Sequence, residues 1–77
     1  MIKILFFAHL QDEAGTAAMK IDKSGLTVGE LKLWVQENYG LQGLNSVMTA
    51  VNESFANESD LINDGDTVAF IPPVSGG

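Results

Sequence analysis

The chain has no cysteine and no arginine, one histidine, and two prolines in 77 residues. Without cysteine there is no disulfide framework, no thiolate metal site and no cysteine nucleophile. The fold must therefore rest on packing and local signals, and no side chain offers reactive sulfur. Without arginine, ten acidic residues face four lysines, and the net charge is −6. Such a surface repels phosphate backbones, which argues against a nucleic-acid partner. No apolar run approaches the roughly 20 residues of a bilayer span, so no membrane partner is expected. The apolar start, "MIKILFFAHL", lacks a small-residue cleavage site and reads as a strand rather than a secretory signal; the expected compartment is the cytoplasm. His9 has no second histidine, no cysteine and no triad partner nearby, and is expected at the surface or at a strand end, with no metal site.

The residues that are present describe a small globular domain. Hydrophobic residues make up 45% and charged residues 18%, a balance that supports one modest core. Residues 2 to 8 alternate, with Ile2, Ile4, Phe6 and Ala8 on one face and Lys3, Leu5 and Phe7 on the other. Both faces are largely apolar, which predicts a central strand or one covered on both sides. "HLQDEAGT" is a polar connection with room for one helical turn ending at Gly15. "AAMKIDKSG" predicts a second strand, antiparallel to the first and ended by Gly25. "LTVGEL" is a strong helix start: Thr27 and Glu30 have capping-box spacing, and Leu26 and Leu31 occupy the staple positions. The helix is predicted over 28 to 39, with Trp34 or Val35 turned inward and Gly40 as its stop. Trp34 and Tyr39 lie on its apolar stripe, so core packing is their default. A third strand is expected over Met48 to Asn52, and Leu61 and Ile62 anchor a polar loop. "NDGD" marks a turn, and "TVAFI" a last strand that Pro72 and Pro73 end. The pattern predicts an α+β fold: a ubiquitin-like β-grasp, with a mixed sheet, one main helix packed across it, and the last strand beside the first. Residues 1–73 would form the domain and 74–77 a flexible Gly-Gly tail.

Side-chain chemistry is scarce. Asp64 and Asp66 flank Gly65 but lack the spacing of a calcium loop, and a tight turn accounts for them. "TVGEL" has one glycine and cannot cradle phosphate. The carboxyl terminus is different. A chain ends in Gly-Gly by chance about once in 200, so the dipeptide alone says little. Its setting adds weight, because "AFIPPVSGG" carries no charged side chain. Such a tail can thread a narrow apolar tunnel without desolvating an ion on the way. Glycine lets tunnel walls approach the backbone, and the prolines hold the exit direction. The reactive group is then the chain end itself. A carboxylate must be activated first, most simply as an acyl-adenylate, before it passes to an amine or to sulfur.

"MIKILFFA" at the start and "DGDTVAFIPPVSGG" at the end, with "TVGEL" and "AVN" between them, resemble the small, sulfur-carrier subunit of molybdopterin synthase. The resemblance implies a β-grasp fold and a non-catalytic sulfur-donor role. It implies that an E1-like adenylyltransferase activates Gly77 with ATP, and that a sulfur-transfer protein converts it to a thiocarboxylate. The tail then enters the large subunit, in a heterotetramer of two small and two large subunits. There it donates sulfur to the cyclic pyranopterin precursor to form the dithiolene. No cofactor is bound; ATP is consumed by the activating enzyme. On the matching positions, Gly77 carries the sulfur, Gly76 gives clearance, and Ser75 and Val74 belong to the inserted tail. Phe7, Phe55, Ile71, Pro72 and Pro73 are the expected partner-binding residues. One departure is plain: where the family often has an Arg-Glu pair after the first strand, this chain reads "HLQDEAG". Three rival readings share parts of the pattern: a thiamine-pathway sulfur carrier, a ubiquitin-like modifier that joins lysines, and a non-covalent interaction module.

Overall fold

The computed structural model describes residues 1–41 and 43–72. Strand β1 (Ile2–Phe6) leads through helix α1 (His9–Ala14) into β2 (Ala18–Ile21). Strand β3 (Leu26–Thr27) runs directly into helix α2 (Val28–Tyr39). A 3₁₀ turn (Leu44–Ser46) precedes β4 (Met48–Val51), β5 (Ser54–Phe55), β6 (Leu61–Ile62) and β7 (Thr67–Ile71). The main sheet has the order β2-β1-β7-β4-β5, and β3 and β6 form a second, two-stranded ladder. First and last strands lie side by side and parallel, with Leu5 opposite Ala69 and Phe6 opposite Phe70, while β2 pairs antiparallel with β1 and β4 antiparallel with β7. This is the ubiquitin-like β-grasp, and β1 is an interior strand as its two-sided apolarity implies.

The period-2 alternation of the strands divides the sheet into two faces. Ile2, Ile4, Phe6, Val68 and Phe70 point under α2 and are buried together with Val28, Leu31 and Val35 of that helix. The Phe6 and Phe70 rings meet at 6.1 Å between centroids. Helix α2 begins as its sequence dictates: Glu30 N–H donates to Thr27 Oγ1 at 3.2 Å, and Thr27 N–H donates to Glu30 Oε1 at 2.8 Å. It ends at Gly40, whose φ of 66° suits a residue without Cβ. Val35 rather than Trp34 is the inward residue; Trp34 is half-buried at the core's edge.

The expected helical turn ending at Gly15 is present as α1, and its fully buried Leu10 anchors an otherwise polar segment. Three local expectations are corrected. The first strand stops at Phe6, and Ala8 turns out of it at φ 54°, exposed, because the chain must reverse into α1. Tyr39 is exposed; it is the last residue of α2 and packs edge-on against Trp34 at 5.9 Å rather than in the core. Leu61 is exposed while its neighbour Ile62 is buried, since successive residues of β6 face opposite ways. Lys32, on the inner face of α2, is buried; its ammonium donates to Glu58 Oε1 at 3.2 Å and to the Val47 carbonyl at 3.5 Å, tying the loop before β6 to the helix.

Candidate functional site

The other face of the main sheet has no helix across it. Strand register sets its relief. Ala18, Leu5, Ala69, Ala50 and Phe55 stand in one row across the five strands. At about 4.8 Å per strand, Leu5 and Phe55 are roughly 14 Å apart, with only the methyl groups of Ala69 and Ala50 between them. Small residues flanked by large ones make a trough. It has a volume of ≈ 560 Å³ and is lined by Leu5, Phe7, Ala50, Asn52, Glu53, Phe55, Thr67, Ala69 and Ile71.

The trough has a direction. Lys3 and Thr67 lie opposite each other at one end, where β7 begins. Phe7, Ile71 and Met48 lie at the other: Phe7 follows β1, and Met48 pairs with Ile71. Because β1 and β7 are parallel, this apolar end is where the chain passes from β7 toward its last residues. Phe7 is 42% exposed, Met48 46% and Phe55 71%, a concentration of exposed apolar surface that a partner commonly covers. Ile71 is half-buried and Pro72 buried. Pro73, Val74, Ser75, Gly76 and Gly77, and with them the proposed boundary between domain and tail, lie outside the described residues.

The rim that carries Phe55 is held by a polar network. Asn52 and Glu53, at φ 52° and 70°, form a two-residue turn between the paired Val51 and Ser54. Positive φ at both central positions matches the twist of a tight hairpin. Asn52 Nδ2 donates to Asp66 Oδ1 at 2.9 Å, and Asn52 Oδ1 accepts from Thr67 N–H at 3.0 Å. Asp66 Oδ2 accepts from Asn63 N–H at 2.8 Å. These bonds, the one from the Asn63 backbone foremost and that from Asn52 next, hold the Asp66 carboxyl below its ordinary pKa. The "AVN" and "DGD" stretches, distant in sequence, thus meet and lock the β4–β5 hairpin to β7. Asp64, on the same turn, pairs with the chain's amino terminus.

Of the partner-binding residues expected from the sequence, Phe7, Phe55 and Ile71 line the trough, whereas Pro72 is buried and does not, and Pro73 lies outside the described residues. Sequence reasoning missed the floor, Ala50 and Ala69, because alanine carries no signal until register puts two of them side by side. It also missed Met48 and Glu53. Met48 falls in an expected strand with no face assigned, and Glu53 falls between that strand and the polar loop after it. His9 stands on α1, exposed and 3.5 Å from Glu13 one turn on, away from the trough's lining. Among the described residues, no group of three His, Cys, Asp or Glu side chains is arranged to hold a metal, and no helix is long and apolar enough to cross a membrane.

Known proteins share both the sequence and the fold. The ThiS family model matches residues 4–77. The molybdopterin synthase sulfur carrier subunit of Escherichia coli is 35% identical, over the full length of both chains. A chain of the complex of subunits 1 and 2 of the Helicobacter pylori molybdopterin-converting factor is a similar solved structure, at 27% identity and a TM-score of 0.70, with 99% of this chain and 97% of that one covered. The small archaeal modifier protein 1 of Methanosarcina acetivorans has the same fold at a TM-score of 0.81 and 25% identity, with 99% and 95% covered. On the full-length match to the family model and to the curated relative, this chain belongs to the ThiS family, among the molybdopterin synthase sulfur carrier subunits.

Proposed function

We propose that this chain is the sulfur carrier of a molybdopterin synthase and that its reactive group is the carboxyl of Gly77. The Gly77 carboxylate attacks the α-phosphate of ATP on an E1-like adenylyltransferase and releases pyrophosphate. Sulfur at the sulfide level, handed over by a sulfur-transfer protein, then attacks the acyl carbon of the adenylate; the C–O bond to AMP breaks, AMP leaves, and a thiocarboxylate remains. The tail delivers that sulfur inside the large subunit to the cyclic pyranopterin precursor. The catalytic groups around the substrate belong to the large subunit, two of which assemble with two small subunits in the cytoplasm. This chain binds no cofactor of its own.

The observation that carries this reading is the continuity of the apolar trough with the end of β7. A partner seated on Phe55, Phe7 and Ile71 covers the surface that leads directly to residues 72–77. Docking there aims the uncharged tail into the partner, and the small residues Ser75, Gly76 and Gly77 meet the least steric resistance at its tip. Phe7, Phe55 and Ile71 are then the docking contacts. Pro72, buried within this domain, stiffens the backbone just past β7.

The test is the intact mass of the chain purified from cells that make molybdopterin. The expected species is heavier by the difference between one sulfur and one oxygen, and absent when Gly77 is deleted. Unmodified mass after incubation with ATP, the activating enzyme and a sulfur donor would sink the proposal. Conjugates of higher mass on a denaturing gel would point instead to a protein modifier.

A further inference from the structure

Glu53 combines three features that the fold does not require. Its backbone is left-handed, at φ 70°, in the second central position of a two-residue hairpin turn, where glycine is the favoured occupant. Its carboxylate enters none of the ion pairs among the described residues. It is also the one charged side chain among the described residues that line the trough.

An apolar partner closing over the trough removes water from the rim. A carboxylate left there without a cation loses hydration and gains nothing in return. The hairpin keeps its Cα at the rim, because Asn52 is fixed by Asp66 and Thr67 immediately before it. We infer that Glu53 is a specificity determinant of the trough: the surface that docks there presents a lysine or arginine to its carboxylate at the β4–β5 rim. A partner that matches the apolar shape but lacks that cation is rejected by the desolvation of Glu53. The overall charge of −6 works in the same direction, drawing basic surfaces toward the domain before contact. The inference rests on the docking of the large subunit proposed above.

The experiment is titration of the full-length chain with its cognate molybdopterin synthase large subunit at low and at high salt. Glu53→Gln keeps the shape of the side chain and removes the charge. It is expected to weaken binding about tenfold at low salt and to flatten the salt dependence. Glu53→Gly relieves the backbone and is expected to raise Tm by about 5 °C while weakening binding as the glutamine variant does. A variant more stable yet poorer at binding is not what a purely structural residue gives. Equal affinity and equal salt dependence for wild type and Glu53→Gln would overturn the inference and leave the docking intact. No complex with the wild-type chain would overturn both.

Discussion

Phe55→Ala removes a ring that the free domain hardly uses. The side chain is 71% exposed, on the outermost strand of the sheet. An aromatic side chain presents about 200 Å² when fully buried, so a partner that covers Phe55 takes roughly 140 Å² out of water. At about 25 cal/mol per Å² this amounts to roughly 3.5 kcal/mol. Ordering the side chain at the interface costs about 0.5–1.5 kcal/mol, which leaves about 2–3 kcal/mol, or roughly 30- to 150-fold in Kd. The smaller part of the ring already covered in the free domain limits the loss of folding stability to about 1 kcal/mol. Calorimetric titration with the large subunit measures the first quantity, and urea denaturation of the small subunit alone measures the second. Phe70→Ala, at a fully buried position, serves as contrast, with an expected loss of about 3–5 kcal/mol of stability. The reasoning is refuted if Phe55→Ala leaves the affinity unchanged, or if it destabilises the free domain as much as Phe70→Ala does.

Other consequences concern the fold that supports the trough. Thr49 is buried on the inner face of β4, and its Oγ1 has no hydrogen-bond partner among the described residues; Thr49→Val keeps the branched shape, and the urea midpoint should rise by an amount equivalent to about 1 kcal/mol. The hydrogen bonds from the Asn63 backbone and then from Asn52 hold the folded Asp66 carboxyl below its ordinary value. The unfolded chain therefore binds more protons in this range, and the stabilisation is present above that value and lost as pH falls through the lowered folded pKa. Denaturation midpoints of wild type and Asp66→Asn should differ at neutral pH and converge in acid; a constant gap across the range would show that the charge of Asp66 is not what holds Asn52. Leu31→Ala, on the buried stripe of α2, should cost about 2–5 kcal/mol in the same assay.

Much of this molecule follows from local chemistry. Helix α2 runs from Val28 to Tyr39, as its capping box and terminal glycine dictate, since both ends are specified within a few residues of the backbone groups they satisfy. The β-branched run 67–71 and the alternation in β1 fix two strands and which of their side chains share a face. Family membership, too, is written in short stretches at the two ends of the chain. Other features have no local cause. Lys32 is buried because Glu58 and the Val47 carbonyl, far along the chain, arrive beside it. Tyr39 sits on an apolar stripe but stays exposed, because the stripe itself does not say how much of the helix the sheet will cover. The trough shows the division most clearly. Phe7 and Phe55 stand out in the sequence as aromatics, whereas Ala50 and Ala69 become a floor only when β4, β7 and β1 pair in this one register. Likewise nothing local marks Glu53 until Asn52 and Asp66 meet and set it on the rim. Sequence alone determined helix α2, the main strands and which of their side chains share a face, all encoded by near neighbours. Tertiary structure alone decided which exposed side chains form one surface and that this surface runs to the end of β7, because register and strand order are properties of contacts between distant residues.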